Sequence, residues 1–299
     1  MKKIILMAAF LMVVSAVPAQ AQTGEIHGVT GVTFDSLYLW RGITVFGSHG
    51  GMHPFVDLDL MGTGFGLSAT GHVPMGSGMA QSPSPWNINE LQRWDYTLYY
   101  KGMLNPEDTY ETRYKLGWTY FNYPGNSATD SFESASNYGS FDLQELFLGV
   151  AFPNLLNVPG LVPGYVVVKG WPSNSDTLVG GAKGGPFTDD GTYSGWAHIF
   201  MLDYGIACRG LTAEIPEQII NLHGEIVYNA GVDPRPGGGY TDDDWTHYLL
   251  SVSTDFSLAD DLVLTPALSY QHTLESSPTK GINADSDIVW GSLSLKYKF

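Results

Sequence analysis

Apolar and polar residues alternate with a period of two along most of this chain. Twelve stretches bounded by turn residues carry the pattern: 25–40, 53–61, 64–73, 92–102, 110–123, 142–152, 164–171, 194–206, 217–230, 245–257, 262–272 and 286–299. This period puts successive side chains on opposite faces of a strand. Soluble strands usually run about five or six residues, whereas a tilted strand crossing a membrane needs about nine to eleven. Many of these stretches are of the longer kind. The pattern predicts an all-β fold, an antiparallel transmembrane β-barrel of twelve strands.

The faces separate cleanly in several stretches. The last sets Val289, Leu293, Leu295, Tyr297 and Phe299 against Ser292, Ser294, Lys296 and Lys298. The fourth sets Trp94, Tyr96, Leu98 and Tyr100 against Arg93, Asp95, Thr97 and Lys101, and the tenth Tyr248, Leu250, Val252 and Phe256 against His247, Ser251, Ser253 and Asp255. A soluble β-sandwich alternates too, with its apolar face inward. The placing of the rings separates the two. Tyr100, Phe152, Tyr204, Phe256 and Phe299 end even-numbered strands; Tyr38, Trp94, Trp118, Tyr120, Trp196, Tyr228, Tyr248 and Tyr270 lie toward the other rim. Two belts of rings with aliphatic residues between them suit the two interfaces of a bilayer.

Connection lengths fit the same topology. Gly62-Thr63 and residues 258–261 are short, whereas 41–52, 74–91, 124–141, 172–193, 231–244 and 273–285 are longer and polar. Barrels of this type have short periplasmic turns and long external loops, so every long connection is expected outside. Pro266, which has no N–H for a ladder, fits its stretch poorly.

Residues 1–21 read as an export signal rather than an anchor: Lys2 and Lys3, an apolar run over 4–17, then Ala19-Gln20-Ala21 as a small-x-small cleavage site. The barrel then occupies 22–299. With Lys2 and Lys3 gone, 12 of the 14 basic residues remain against 30 acidic ones, a net charge of −18, which argues against nucleic acid as a partner. Cys208 is the sole cysteine, so no intramolecular disulfide supports the fold. The bacterial outer membrane is the expected location, with its lipids and the barrel-assembly machinery, reached through the strand ending at Phe299, as partners.

Charged residues fall on the polar faces. Arg41, Arg93, Lys101, Arg113, Lys115, Lys169, Lys296 and Lys298 share them with Asp35, Asp57, Asp59, Asp95, Glu111, Glu145, Asp203, Glu225 and Asp255. In a barrel these point into the lumen, where facing charges of both signs select ions and dipolar solutes. Asp57, Asp59, Arg93, Asp95, Arg113, Lys115 and Glu225 are the candidate selectivity residues. The plainer alternative is a plugged interior whose charges pair off, since a twelve-stranded barrel is narrow. Asp189-Asp190 and Asp242-Asp243-Asp244 make the loops acidic, which concentrates cations near a mouth.

Other chemistry is weakly signalled. His49-x-x-x-His53 has metal-like spacing but lies in a loop with no third ligand nearby. No histidine is followed two residues later by the serine that a barrel lipase needs, and an Asp244/His247 pair lacks the partners of a rim protease. The chain is expected to be no enzyme and to use no metal or cofactor.

Ser36-Leu37-Tyr38-Leu39-Trp40-Arg41-Gly42-Ile43, followed by Pro54 and glycines 64 and 66, resembles the opening of the TorF-like family of porins. In that family a first strand ends in Ser-x-Tyr-x-aromatic-Arg-Gly-Ile. The resemblance covers about the first fifth of the mature chain and implies a porin without an assigned substrate; Leu37 and Trp40 depart from its usual choices. Together the residues predict a passive channel for small hydrophilic, cation-preferring solutes. The alternative is a closed structural or adhesive barrel whose acidic loops bind a surface partner.

Overall fold

The computed structural model describes residues 26–76, 92–124, 142–173, 195–209, 217–231, 243–274 and 286–299. Expectations for the leader over 1–21, for Asp189, Asp190 and Asp242, and for most of the long connections lie outside them. Twelve antiparallel strands form the wall: β1 (His27–Asp35), β4 (Gly50–Asp59), β5 (Phe65–Met75), β6 (Arg93–Leu104), β7 (Thr112–Asn122), β8 (Leu143–Ala151), β9 (Leu161–Pro172), β10 (Gly195–Arg209), β11 (Glu217–Ala230), β12 (Asp243–Thr254), β14 (Leu262–Thr273) and β15 (Asp287–Lys298). Each pairs with the next, β12 pairs with β14, and β15 pairs with β1, with Thr33 opposite Ser294, so the sheet closes on itself. Closure leaves the wall without an edge strand among the described residues. Among the described residues there is no helix.

Three short strands complete the set. β13 (Phe256–Ala259) continues β12 beyond a break at Asp255. Pro266 sits opposite that break: the β12 ladder ends at Ser253↔Ala267 and that of β13 begins at Phe256↔Leu264. The proline is therefore accommodated where the neighbouring ladder is interrupted. β2 (Leu39–Trp40) and β3 (Ile43–Thr44) form a separate small hairpin.

The outer face is apolar. Leu67, Leu98, Trp118, Leu148, Phe200, Leu202, Leu250, Leu268, Val289 and Leu293 are all exposed. Rings meet across neighbouring strands near both rims. At the short-turn end Tyr100 lies 4.9 Å from Phe65 and 6.1 Å from Tyr114. At the other, Trp245 lies 5.3 Å from Tyr228 and 5.9 Å from Phe200, while Tyr248 lies 6.1 Å from Tyr270. On the inner face, hydroxyl pairs bridge strands: Thr33 to Ser294 at 2.9 Å, Ser269 to Ser251 at 3.0 Å and Thr97 to Thr119 at 2.9 Å.

Two residues face the opposite way from their expectation. Lys169 is paired with Trp196 on the outer face, its Nζ 5.5 Å from the indole ring, and does not enter the lumen. β9 is apolar on both faces through Val166-Val167-Val168, which removes the alternation that would have fixed its register. Tyr38 is buried inside the barrel instead of joining the outer ring belt. The first strand stops at Asp35, three residues before it, because the chain turns inward there.

Candidate interior site

The connection over 41–52 does not form an external loop as expected, nor do residues 36–40 extend the first strand; residues 36–49 fold back into the barrel, and β4 begins at Gly50. The turn of the β2–β3 hairpin is Arg41-Gly42, with φ of 51° and 81°. Two successive positive φ values define the type I′ turn, whose twist matches a two-residue β-hairpin. Glycine meets this at no steric cost; Arg41 carries it under local strain.

Contacts on several walls show that the hairpin lies within the lumen. Arg41 Nη2 is 2.6 Å from Glu145 Oε1 on β8. The next residue reaches the other side: Gln271 Nε2 on β14 donates to the Gly42 carbonyl at 3.0 Å, and the imidazole of His247 on β12 lies against the Gly42 α-carbon. β8 and β12 are separated by three strands in the ring, so one turn touches both only by crossing the interior. A β-bulge helps. Thr246 is the extra residue between Tyr228↔Trp245 and Val227↔His247, and both Thr246 and His247 are buried.

The base of the hairpin rests on a polar cluster from β1, β4, β5 and β6. Arg93 Nη2 donates to the Tyr38 hydroxyl at 2.8 Å, and its Nε lies 2.7 Å from Asp95. Asp95 is also 3.0 Å from His72 Nε2; His72 and His53 meet through their Nδ1 atoms at 2.9 Å, and His53 Nε2 lies 3.2 Å from Asp35. The Tyr38 ring stacks on His72 at 4.8 Å and tilts against Phe46 at 5.0 Å. Burial pushes the Tyr38 phenol up, so it stays protonated. Trp40 extends the hairpin sideways. Arg93 lies 4.5 Å above its ring, and Trp40 packs against the buried cluster of Phe121, Tyr123, Leu143, Val168 and Ala197, its ring 5.8 Å from that of Phe121.

The predicted selectivity residues fall into separate groups. Arg93 and Asp95 hold the hairpin as just described. Asp57, Asp59 and Lys115 gather below it on β4 and β7. Tyr99 donates to Asp57 at 2.5 Å, Lys101 pairs with Asp59 at 2.8 Å, and Lys115 Nζ sits 3.8 Å over the Tyr99 ring. Tyr99 lies flat over Gly66, where a Cβ would come within 2.1 Å of its ring. Glu225 stands on the far wall, 3.5 Å from His223 and 3.9 Å from His247. Arg113 is at the short-turn rim, 2.9 Å from Glu111, whose carboxyl it holds below the usual carboxylate range.

Glu145, Gln271, His53, His72 and Trp40 complete the site. None was among the predicted selectivity residues. The Arg-Gly pair between Leu-Trp and Ile-Thr was the available signal for the hairpin. His49 and His53 do not converge: His49 Nδ1 lies 3.2 Å from the Phe46 carbonyl, while His53 faces His72. Among the described residues no group of three or more His, Cys, Asp or Glu is arranged to hold a metal ion.

No family model matches the chain, and no curated protein does. Solved structures give similarities at low identity. The KdgM porin is 9% identical, over 91% of this chain and 99% of that one, with a TM-score of 0.45. The KdgM porin in complex with disordered oligogalacturonate is 10% identical over the same shares, with a TM-score of 0.44. Outer membrane phospholipase A from Escherichia coli is 9% identical, over 91% of this chain and 92% of that one, at 0.40. The chain's own geometry defines it: a closed twelve-stranded antiparallel barrel whose first long connection is folded into its interior.

Proposed function

We propose that this protein is an outer-membrane channel of porin type for passive diffusion of small hydrophilic solutes, narrowed by the hairpin over 36–49. The observation that carries the reading is the interior: a closed barrel lined by charges and hydroxyls, crossed by one hairpin. The apolar outer face with rings toward both rims supports placement in a bilayer. Asp57, Asp59, Lys115 and Glu225 flank the path below the hairpin and would set its field; Arg93 and Asp95 would set the position of the constriction. The acidic connections, of which Asp243 and Asp244 are described, favour cations at the mouth. The resemblance of residues 36–43 to the TorF-like porins agrees with this reading.

The hairpin's contacts on opposite walls favour a second reading, a sealed barrel with a structural or adhesive role. Planar-bilayer recording of the refolded full chain separates them. Stepwise currents in KCl, increased on removing residues 39–44, are expected for the channel. Absence of current from inserted protein, with and without those residues, sinks it.

A further inference from the structure

Water is excluded from the lumen at the level of the hairpin. Arg93, Phe121, Leu143, Ala197, Asn229 and Gln271 stand on six strands spread round the ring, and all six are buried. Phe46, on the return of the hairpin, is fully buried too. Side chains lining an open path are wet, as Lys101 and Asp203 are nearer the short-turn end, where both remain about half exposed. A barrel filled in this way conducts only when the hairpin moves, so whatever holds the base of the hairpin decides the open state.

That base rests on two histidines that meet through their rings. His53 on β4 and His72 on β5 are both largely buried, with their Nδ1 atoms 2.9 Å apart. A bond between two imidazole nitrogens needs one proton: one nitrogen donates and the other is bare. The outer ends face carboxylates, His53 Nε2 with Asp35 of β1 at 3.2 Å and His72 Nε2 with Asp95 of β6 at 3.0 Å. Both Nε2 atoms can therefore carry protons, but only one Nδ1 can. The charges agree. Asp35 and Asp95 stand against Arg93, to which Tyr123 is bonded, so one cationic ring balances the cluster and two leave it with a buried net charge. His49, on the return of the hairpin, turns away to the Phe46 carbonyl. The Tyr38 ring lies against both histidines, 4.8 Å from His72 and 4.7 Å from His53, and the Tyr38 carbonyl accepts from the Val45 amide at 2.9 Å.

We propose that the hairpin is a gate released by acid, held across the lumen at neutral pH by the single proton between His53 and His72 and freed when a second proton parts their rings. The two rings support Tyr38, and Tyr38 joins the two arms of the hairpin through Val45, so separating the rings unseats the whole element. The released state can protonate both rings and the held state only one. Falling pH therefore favours release, by up to about tenfold per pH unit for one extra proton. The proposal deepens the channel reading and rests on it: the narrowing becomes a closure with a trigger.

Single-channel recording of the refolded full chain from about pH 7.5 to about pH 4.5, a span that brackets ordinary histidine titration, tests it. Hydrogen exchange at the Val45 amide, corrected for intrinsic rate, gives a second readout that needs no current. The protein is expected to be mostly closed at the upper end and to gain at least about tenfold in open probability at the lower, while the Val45 amide loses protection over the same span. His53→Gln and His72→Gln, which cannot take the second proton, should each abolish both changes. The variant lacking residues 39–44 should conduct at every pH. Acid opening that survives in both glutamine variants overturns the proposal, as does current at the upper pH equal to that of the shortened variant. A Val45 amide that stays protected, with current in the shortened variant alone, overturns the gate and leaves the channel reading standing. Loss of Val45 protection in acid without current from either protein does the reverse.

Discussion

Arg41, at the tip of the interior hairpin, holds Glu145 on β8 with Nη2 and Oε1 2.6 Å apart and both side chains largely withdrawn from solvent. This ion pair and the Gln271 bond to Gly42 join the tip to walls on either side. Removing one member of a buried pair strands the other charge, at a cost of about 3–5 kcal/mol. Arg41→Ala is therefore expected to lower unfolding stability by that order and to raise single-channel conductance as the tip loosens. Adding Glu145→Leu to it should recover part of the stability, because the buried carboxylate that lost its arginine is gone. Urea unfolding of the single and double variants in lipid vesicles measures the coupling.

Tyr38→Phe isolates the base of the hairpin. The ring contacts to His72 and Phe46 survive, and only the acceptor for Arg93 is lost. A hydrogen bond to a charged group contributes about 1.5–3 kcal/mol, so a loss within that range is expected. If hairpin position depends on this bond, open-channel noise should rise in Tyr38→Phe while the ring belts, read by tryptophan fluorescence, stay unchanged.

The two faces of β14 predict opposite tolerance. Leu268 is exposed on the outer face, and Ala267 next to it points inward, opposite Ser253 and Ser292. Lysine on the outer face near the bilayer midplane costs about 2–4 kcal/mol. Leu268→Lys should therefore reduce folding into vesicles strongly, and Ala267→Lys only slightly. Equal effects would refute the assignment of faces.

A pH effect is expected at the short-turn rim. Arg113 depresses the Glu111 carboxyl, which also accepts from the Glu107 amide at 3.1 Å and from Asn154 at 3.2 Å. A group with a depressed folded pKa stabilises the fold above its unfolded value and loses that contribution as pH falls through the folded one. Protection of the Glu107 amide against hydrogen exchange, corrected for intrinsic rate, should hold at pH 6 and fall away below the ordinary glutamate value of 4.5. Glu111→Gln should remove the pH dependence.

The sequence by itself determined the wall of the barrel. Strand pairing has a strict period of two, and burying one face fixes the register, so alternation located β6, β7, β12 and β15 with their outward residues. It was silent on β9, where Val166-Val167-Val168 erases the period and Lys169 was turned to the wrong face. Only the tertiary structure decided what fills the lumen. Tyr38 and Trp40 continue the alternation of β1 and read as strand, with Arg41 at its end, yet buried partners far along the chain, Arg93, Phe121 and Glu145, draw them inward. Such contacts depend on which strands close the ring around them, and no local pattern encodes that.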